Sequence, residues 1–179
     1  MSRLRVTGGE SRGRRLRMPK SIRPTQGIVK EAIFNLVGPR VEDARVVDLF
    51  AGSGALGIEA LSRGAAHVTF VDRVPRGLAI LRQNLDELGF KSSSGVVRAE
   101  VGRWLESSPD EIKEADLVFL DPPYGDPVFE RSLKALDRLS GDATIVAEYS
   151  RHQTLPRLER LRVERERRYG DTMVAVLRP

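Results

Sequence analysis

Four consecutive residues at the end of an apolar run could hold a planar amine. Asp121-Pro122-Pro123-Tyr124 follows residues 117–120, whose apolar character predicts a buried strand. Two prolines fix φ at about −65° and remove two backbone donors, so Asp121 and the nearby carbonyls would form a rigid set of acceptors. Such a set suits a flat base with an exocyclic NH2 group, and the Tyr124 ring offers a face for stacking. An ordinary turn is the alternative interpretation of these four residues alone.

A glycine-rich stretch upstream has the pattern of a cofactor loop. A strand over residues 45–50 is followed by Ala51-Gly52-Ser53-Gly54-Ala55-Leu56-Gly57, which reads G-x-G-x-x-G and precedes a helical pattern. Glycines there permit a tight turn and close approach of the backbone to a ligand at a helix N-terminus. The next strand ends in Asp72, 18 positions after Gly54, where a carboxylate can bind ribose hydroxyls. The pattern does not separate NAD, FAD and S-adenosylmethionine, and a plain strand-to-helix connection is the alternative.

Strands and helices alternate from residue 45 onward, as in a parallel α/β sheet. The predicted strands cover residues 45–48, 67–72, 95–99, 116–120 and 143–148, and the predicted helices cover residues 55–63, 76–89, a short segment around Trp104, and 127–138. Two further strands, 161–164 and 173–177, are expected to form a terminal hairpin around Tyr169-Gly170-Asp171. We therefore predict a Rossmann-like α/β fold with a mostly parallel seven-stranded sheet and an antiparallel terminal strand.

The predicted strand ends carry three acids. Asp48, Asp72 and Asp121 each lie at the carboxyl end of a strand, where open parallel sheets bind their ligands. If the first and fourth strands are neighbours, the glycine loop and the proline turn face one crevice. A cofactor in the loop could then reach a base at the turn.

The basic residues are concentrated in the first 40 positions, which contain ten basic and two acidic residues, while the remainder is slightly acidic. Apolar residues and glycines predict a β-hairpin there, followed by an amphipathic helix with Thr25 as N-cap. We expect residues 1–40 to be an RNA-binding extension and residues 41–179 to be the catalytic domain; a solvated tail is the alternative. The predicted phosphate-binding residues are Arg3, Arg5, Arg12, Arg14, Arg15, Arg17, Arg23 and Lys30, and for Arg23 and Lys30 the alternative is an ordinary solvated charge.

Composition excludes several classes of site. The chain has no cysteine, so it has neither disulfides nor thiolate zinc ligands, and only His67 and His152 could supply imidazole. We therefore expect no metal site. No run approaches the length of a membrane span and no signal peptide stands out, so we expect a cytoplasmic protein. A single globular body with its extension is expected to be monomeric.

The motifs resemble those of S-adenosylmethionine-dependent methyltransferases. Phe50-Ala51-Gly52-Ser53-Gly54 is similar to their cofactor loop, and Asp121-Pro122-Pro123-Tyr124 is similar to their motif for methylation of amino groups. Nearer the N-terminus, the chain is similar to the RsmD family of bacterial 16S rRNA guanine-N2 methyltransferases, and this likeness extends to Tyr169-Gly170-Asp171-Thr172. The N-terminal segments that carry it are Arg5-Val6-Thr7-Gly8-Gly9, Arg12-Gly13-Arg14, Pro19, Arg23-Pro24-Thr25 and residues 29–35.

The resemblance implies a class I methyltransferase fold, S-adenosylmethionine as cofactor, and 16S rRNA or the small ribosomal subunit as partner. By resemblance, Asp48 and the loop residues Phe50, Ala51, Gly52, Ser53 and Gly54 would hold the methionine part, and Asp72 the ribose. Asp121, Pro122, Pro123 and Tyr124 would hold the target base as the catalytic set. Near the adenine the chain departs from the family, with Glu100-Val101 where Asp-Ala or Asn-Ala is usual. Glu100 and Arg73 are expected to line this pocket.

The target base and the reaction class stay open when the residues are taken without the resemblance. Adenine N6, cytosine N4 and guanine N2 are all planar amines, and guanine follows from the resemblance alone. An NAD(P)-dependent oxidoreductase would account for the glycine loop and Asp72, although it gives no role to the proline turn or the basic segment. A non-catalytic RNA-binding module with a degenerate cofactor fold is the third possibility.

Overall fold

The computed structural model describes residues 4–19 and 25–179. Seven strands form one sheet: β1 Arg45–Leu49, β2 His67–Asp72, β3 Ser94–Arg98, β4 Leu117–Leu120, β5 Thr144–Ser150, β6 Arg162–Tyr169 and β7 Thr172–Arg178. The helices are α1 Thr25–Val37, α2 Ala55–Ser62, α3 Pro75–Leu88, α4 Val101–Ser107, α5 Pro109–Lys113 and α6 Val128–Leu139, with short 3-10 helices at Gly38–Val41 and Lys91–Ser93. None of the helices in this part of the chain is long and apolar enough to cross a membrane.

The strand order is β3-β2-β1-β4-β5-β7-β6. The five strands β1 to β5 are parallel, and β7 lies antiparallel between β5 and β6. This confirms the predicted Rossmann-like α/β fold with a mostly parallel seven-stranded sheet. The short helix α5 was not predicted, because its five residues are too few to show an apolar period, although Pro109 at its first turn is typical of a helix start.

The first and fourth strands are neighbours, as the shared crevice requires. Leu49, the last residue of β1, pairs with Leu120, the last residue of β4. Because parallel strands end at the same edge of a sheet, Phe50 and Asp121 leave the sheet side by side. The glycine loop and the proline turn therefore begin next to each other.

Two apolar clusters cover the two faces of the sheet, as in a three-layer α/β arrangement. On one face, α1, α2 and α3 pack against the sheet together with Leu4, Val6 and Leu16 from the N-terminal segment. On the other face, α4, α5 and α6 contribute the buried residues. The N-terminal segment is thus packed into the core through its apolar residues.

The predicted N-terminal hairpin forms with little regular strand structure. Arg5 and Arg15 make a single antiparallel bridge, and the Leu16 N–H donates to the Leu4 carbonyl at 3.0 Å. The intervening turn does not extend into solvent, since the Glu10 N–H donates to the Ser62 carbonyl of α2 at 2.8 Å. The division of the chain near residue 40 into an extension and a domain stays a prediction. The predicted sites at Arg3 and Arg23 and the N-cap side chain of Thr25 lie outside the described residues and side chains.

Candidate active site

A cleft of about 880 Å³ opens at the carboxyl ends of the parallel strands. Its walls combine the residue that starts the glycine loop, the acid after β2, the whole proline turn and the connection from β6 to β7. The residues that line the cleft include Phe50, Asp72, Arg73, Val74, Ala99, Glu100, Val101, Asp121, Pro122, Pro123, Tyr124, Arg131, Glu148, Tyr169, Gly170, Asp171 and Thr172. All four residues of the proline turn therefore line the cleft, whereas of the loop residues 50–54 only Phe50 lines it.

The three glycines of the loop are required for two different reasons, backbone conformation at Gly52 and Gly54 and lack of space for a side chain at Gly54 and Gly57. Gly52 and Gly54 have φ of 57° and 85°, a region that glycine adopts without strain. A Cβ on Gly54 would lie 2.2 Å from Leu81 Cδ1, and one on Gly57 would lie 2.2 Å from Phe70 Cε1. The third glycine of the pattern is thus required for packing of α2 against β2, while the first two shape the turn.

Asp72 holds the glycine loop in place. One carboxylate oxygen accepts the Gly52 N–H at 2.8 Å and the other accepts the Val74 N–H at 2.8 Å. The side chain also lines the cleft. Because each carboxylate oxygen can accept more than one hydrogen bond, the group can still accept from a ligand hydroxyl.

Asp48 lies behind the loop and is not among the residues that line the cleft. Its residue exposure is 2%, and its Oδ2 atom accepts the Gly57 N–H at 2.9 Å. Burial raises the pKa of Asp48 to about 7, with a smaller contribution from the charge of Asp72. In this geometry Asp48 fixes the start of α2, and it would act on a ligand through the loop.

Asp121 is partly exposed to the cleft and has an acidic neighbour. Leu120 pairs with Ala147 across β4 and β5, so Asp121 and Glu148 follow side by side on adjacent strands. Burial raises the pKa of Asp121 well above its ordinary value, and the charges of Glu148 and Asp48 raise it further. Sequence reasoning missed Glu148; the available signal was an acid following the apolar run Ile145-Val146-Ala147 in a strand.

Tyr124 is held at its hydroxyl. The hydroxyl donates to Glu148 Oε1 at 2.9 Å and lies 2.5 Å from Thr172 Oγ1. Burial and the charge of Glu148 raise the pKa of Tyr124, so the phenol stays protonated and can donate. The residue keeps 39% of its surface exposed. The predicted stacking face is therefore rigidly positioned.

Comparison with known proteins decides the family. The family model described as "Conserved hypothetical protein 95" matches residues 4–178. The "Putative rRNA methyltransferase YlbH" of Bacillus subtilis is 40% identical over 179 residues, covering 97% of each chain. Ribosomal RNA small subunit methyltransferase D of Escherichia coli is 35% identical over 158 residues, covering 86% of this chain and 78% of the relative.

The chain belongs to the RsmD family. Its fold agrees: the structure titled "Putative methyltransferase yhhF from Escherichia coli" aligns with a TM-score of 0.86 at 31% identity and covers 98% of this chain and 97% of that one. The predicted family and the predicted class I methyltransferase fold are therefore confirmed.

Glu100, where this RsmD-family chain departs from the usual pattern, caps a helix. Its two carboxylate oxygens accept the N–H groups of Gly102 and Arg103 at 3.0 Å each, at the start of α4. These bonds lower the pKa of Glu100, so it is charged at neutral pH. Glu100 lines the cleft, as does the exposed Arg73. Arg131 of α6 also lines it and was not predicted.

The basic residues of the N-terminal segment lie mainly on the surface. Arg5, Arg12, Arg14, Arg15 and Arg17 are all exposed. Arg17 pairs with Glu87 at 2.7 Å, and Arg14 donates to the Glu87 carbonyl at 3.1 Å. Because an exposed ion pair contributes little free energy, these guanidinium groups can exchange it for a phosphate.

Lys30 lies in the protein interior. Its residue exposure is 3%, and its ammonium group pairs with Glu59 Oε2 at 2.7 Å. Glu59 also accepts the N–H groups of Thr7 and Gly8, so the pair fastens the N-terminal segment to α2. The structure therefore contradicts the predicted phosphate contact of Lys30: the amine is buried because it lies on the apolar face of α1.

Asn84 connects the basic segment to the cofactor loop. Its side-chain oxygen accepts the Arg17 N–H at 2.8 Å, and its amide donates to the carbonyls of Arg17 at 3.0 Å and Ser53 at 3.2 Å. The Ser53 hydroxyl in turn lies 3.1 Å from Met18 Sδ. The segment and the loop are therefore parts of one packed unit.

Within the described residues, no group of three or more His, Asp or Glu side chains is placed to hold a metal ion.

Proposed function

We propose that the protein transfers a methyl group from S-adenosylmethionine to the exocyclic N2 amine of a guanine in 16S rRNA. One observation carries the proposal: the glycine loop and the Asp121–Tyr124 turn start from adjacent strand ends, and Phe50 at the start of the loop lines the same cleft as the turn. Family membership supports methylation of small-subunit rRNA, the activity that names the curated relatives. We propose the guanine N2 amine as the methyl acceptor because its donors match the acceptors of the proline turn.

The cleft fits S-adenosylmethionine, which is the cofactor of this enzyme family. Its volume of about 880 Å³ is within the usual range for ligand pockets and leaves space for a base beside a nucleoside cofactor. Asp72 has free lone pairs for ribose hydroxyls. Val74, Ala99 and Val101 provide an apolar wall for an adenine ring. The compact glycine loop permits close approach to the methionine part, and Asp48 secures that loop.

The chain's own residues position the reacting amine. When bound, the cofactor would supply a methyl group on a positively charged sulfur; the amine nitrogen would bond to that carbon as the carbon–sulfur bond breaks, a neutral thioether would leave, and the nitrogen would then lose one proton to solvent. The Asp121 carboxylate accepts a hydrogen bond from the amine, and the carbonyls held by the two prolines can accept the second. Aligning two reactants can lower a barrier by roughly 7–11 kcal/mol. Positive charge developing on the nitrogen is stabilised by the same carboxylate.

Burial of Asp121 has a consequence for this step. The raised pKa of Asp121 means that its proton is retained to higher pH in the free protein than for an ordinary aspartate. A cationic cofactor and a hydrogen-bond donor beside the carboxylate both favour the charged form. Assembly of the complex therefore favours ionisation of Asp121, with release of its proton to solvent.

The exposed arginines at positions 5, 12, 14, 15 and 17 are proposed to bind RNA phosphates. Arg3 and Arg23 are proposed to join them on the strength of the sequence alone. The link from Arg17 through Asn84 to the Ser53 carbonyl supports a docking surface next to the cofactor loop.

An rRNA substrate implies action in the cytoplasm. A monomer is proposed as the working unit.

Methylation with labelled cofactor tests the function. The purified protein is incubated with 16S rRNA, with small ribosomal subunits and with 23S rRNA, and the digested RNA is examined by mass spectrometry. We expect N2-methylguanosine in one or both small-subunit substrates, above the level formed by the Asp121→Ala control. A different methylated nucleoside would contradict the guanine assignment, and no incorporation into any substrate would contradict the enzyme activity.

A further inference from the structure

Glu148 forms, with Asp121, an acidic pair on the base side of the cleft. Both residues line the cleft, and the pairing of Leu120 with Ala147 places Asp121, just after β4, next to Glu148 within β5. The hydroxyl of Tyr124 donates to one oxygen of Glu148, Oε1. Within the described part of the chain, no protein group donates to the other oxygen, Oε2. One acceptor of Glu148 is therefore fixed in position while the other is available to a ligand.

The Watson–Crick edges of the bases differ in what lies beside the amine. In guanine, the N2 amine is next to an N1–H group, so the edge presents adjacent donors. In adenine and cytosine, the amine is next to a bare ring nitrogen that can only accept. Two adjacent carboxylates, which only accept when charged, match the guanine edge and oppose the other two.

We propose that Glu148 reads the N1–H of the target guanine while Asp121 holds its N2 amine. This assignment rests on the proposed function and goes beyond it by naming the side chain that selects the base. Thr172 and Tyr124 act as positioning residues. Their hydroxyl oxygens lie 2.5 Å apart, and the Tyr124 hydroxyl donates to Glu148 and so holds that carboxylate in place. A bare ring nitrogen facing Glu148 would leave a buried acceptor without a donor, which is the costly outcome in a closed site.

In the free protein both carboxyl groups hold their protons to higher pH than usual, and hydrogen-bond donors from a ligand favour the charged, accepting forms. Burial raises the pKa of Glu148, and its charge contributes to the raised pKa of Asp121. Two carboxylates that repel each other gain most from a ligand that brings a donor to each of them. The guanine edge brings two donors in the same plane.

A base analogue removes the N1–H, together with the O6 carbonyl, and keeps the 2-amine. 2-Aminopurine keeps the 2-amine but has an unprotonated N1, so it is ligated into 16S rRNA at the guanine that mass spectrometry identifies as the methylated one. For the parent protein we expect kcat/KM to fall roughly 5- to 150-fold on the analogue. If the parent protein methylates the two RNAs with equal kcat/KM, the proposal is overturned, because the N1–H then contributes nothing to recognition.

Glu148→Gln tests the residue itself. A glutamine can turn its NH2 group toward the bare N1 of the analogue, so the variant is expected to lose rate on guanine and to lower the guanine-to-analogue ratio at least fivefold. Glu111→Gln, an exposed substitution on α5, is the matched control and should keep the parental ratio. A Glu148→Gln protein that keeps the parental ratio overturns the proposal, as does one whose ratio rises.

Two further measurements separate the possible causes. Calorimetric titration of S-adenosylmethionine should give the parental affinity for Glu148→Gln, which shows that the cofactor side of the cleft is intact; a large loss would assign Glu148 to the cofactor and overturn the base-reading role. If the parent forms no N2-methylguanosine at all, the proposed function itself fails and the Glu148 assignment fails with it. If the parent forms this product but the ratio does not respond to Glu148→Gln, only the Glu148 assignment fails.

Discussion

Asp72 accepts the backbone N–H of Gly52 at 2.8 Å, so the acid that ends β2 fixes the loop that follows β1. The same carboxylate lines the cleft. Asp72 therefore has two roles that the sequence pattern does not distinguish, since it shapes the loop in the free protein and can bind a ribose in the complex.

Replacing Asp72 with alanine should weaken cofactor binding and also loosen the loop. Loss of a charged hydrogen-bond partner costs about 1.5–3 kcal/mol, which corresponds to a rise in Kd of roughly tenfold or more. Calorimetry measures the affinity for the cofactor. Thermal unfolding measures how much the contact between Asp72 and the loop contributes to the stability of the protein. Asp86→Ala, at an exposed aspartate on α3, is the control and should change neither quantity. Parental affinity in Asp72→Ala would remove Asp72 from the cofactor site.

Replacing Asp121 with alanine should stop turnover while leaving cofactor affinity nearly unchanged. The carboxylate is proposed to act on the amine, so kcat should fall by at least a hundredfold, in line with the loss of one preorganised charged group. Single-turnover methylation measures the rate, and calorimetry measures cofactor binding. Near-parental methylation by this variant would exclude Asp121 from the mechanism.

Replacing Asp48 with asparagine should stabilise the protein more at pH 8 than at pH 5. The folded-state pKa of about 7 exceeds the ordinary aspartate value, so the folded state holds its proton longer than the unfolded state. The unfolding free energy of the parent therefore falls as pH rises toward 7, by at most about 4 kcal/mol. The neutral asparagine can still accept the Gly57 N–H and does not carry this cost.

Denaturant unfolding at the two pH values checks this expectation for Asp48. The difference in unfolding free energy, variant minus parent, should become more positive by roughly 1–3 kcal/mol between pH 5 and pH 8. A constant offset between the two proteins would show that Asp48 is not titrating in this range. The sign is informative, because an aspartate held by an ion pair would give the opposite trend.

Reversing the charges of Arg12, Arg14, Arg15 and Arg17 to glutamate should weaken RNA binding and flatten its dependence on salt. Each lost phosphate contact reduces the slope of log K against log salt by about 0.7–0.9. Filter binding of 16S rRNA at several salt concentrations gives both quantities. Arg138→Glu, at an exposed arginine on α6, is the single-site control. An unchanged slope in the fourfold variant would mean that RNA docks elsewhere.

Replacing Lys30 with methionine should destabilise the fold. Removing one partner of a buried ion pair typically costs about 3–5 kcal/mol. Here Glu59 keeps Arg63 as a second cationic partner at 2.9 Å, so the cost should lie near the lower end of that range. Lys134→Met breaks an exposed pair with Glu130 and should cost at most about 1 kcal/mol. Equal effects of the two substitutions on denaturant unfolding would contradict the buried pair.

The sequence revealed those site residues whose local context is distinctive. Asp72 and Asp121 each come at the end of an apolar strand. The glycine spacing marks the loop after β1, the strand that lies between β2 and β4 in the sheet. Glu148 was missed because its importance depends on which strands are adjacent, and only the pairing of Leu120 with Ala147 places it beside Asp121. That relation links positions far apart in the chain, so the acid after an apolar run was the whole of the local signal.

Lys30 shows the opposite case. The local sequence indicated that this lysine is buried, but the many basic residues of the first 40 positions favoured the prediction that it binds phosphate. Three and four positions after it come Ile33 and Phe34, and seven after it comes Val37, all of them buried. This helical spacing puts the lysine on the face that packs against the sheet. Its partner Glu59, on another helix, could not be identified from the sequence.

The turn between β6 and β7 brings Tyr169, Gly170, Asp171 and Thr172 to the cleft from the antiparallel end of the sheet. The cofactor loop, by contrast, belongs to the parallel core. A substitution in the tip of this hairpin can therefore reshape one wall of the cleft without disturbing the loop that is proposed to hold the methyl donor. Thr172 is the exception within the tip, because its hydroxyl lies beside that of Tyr124.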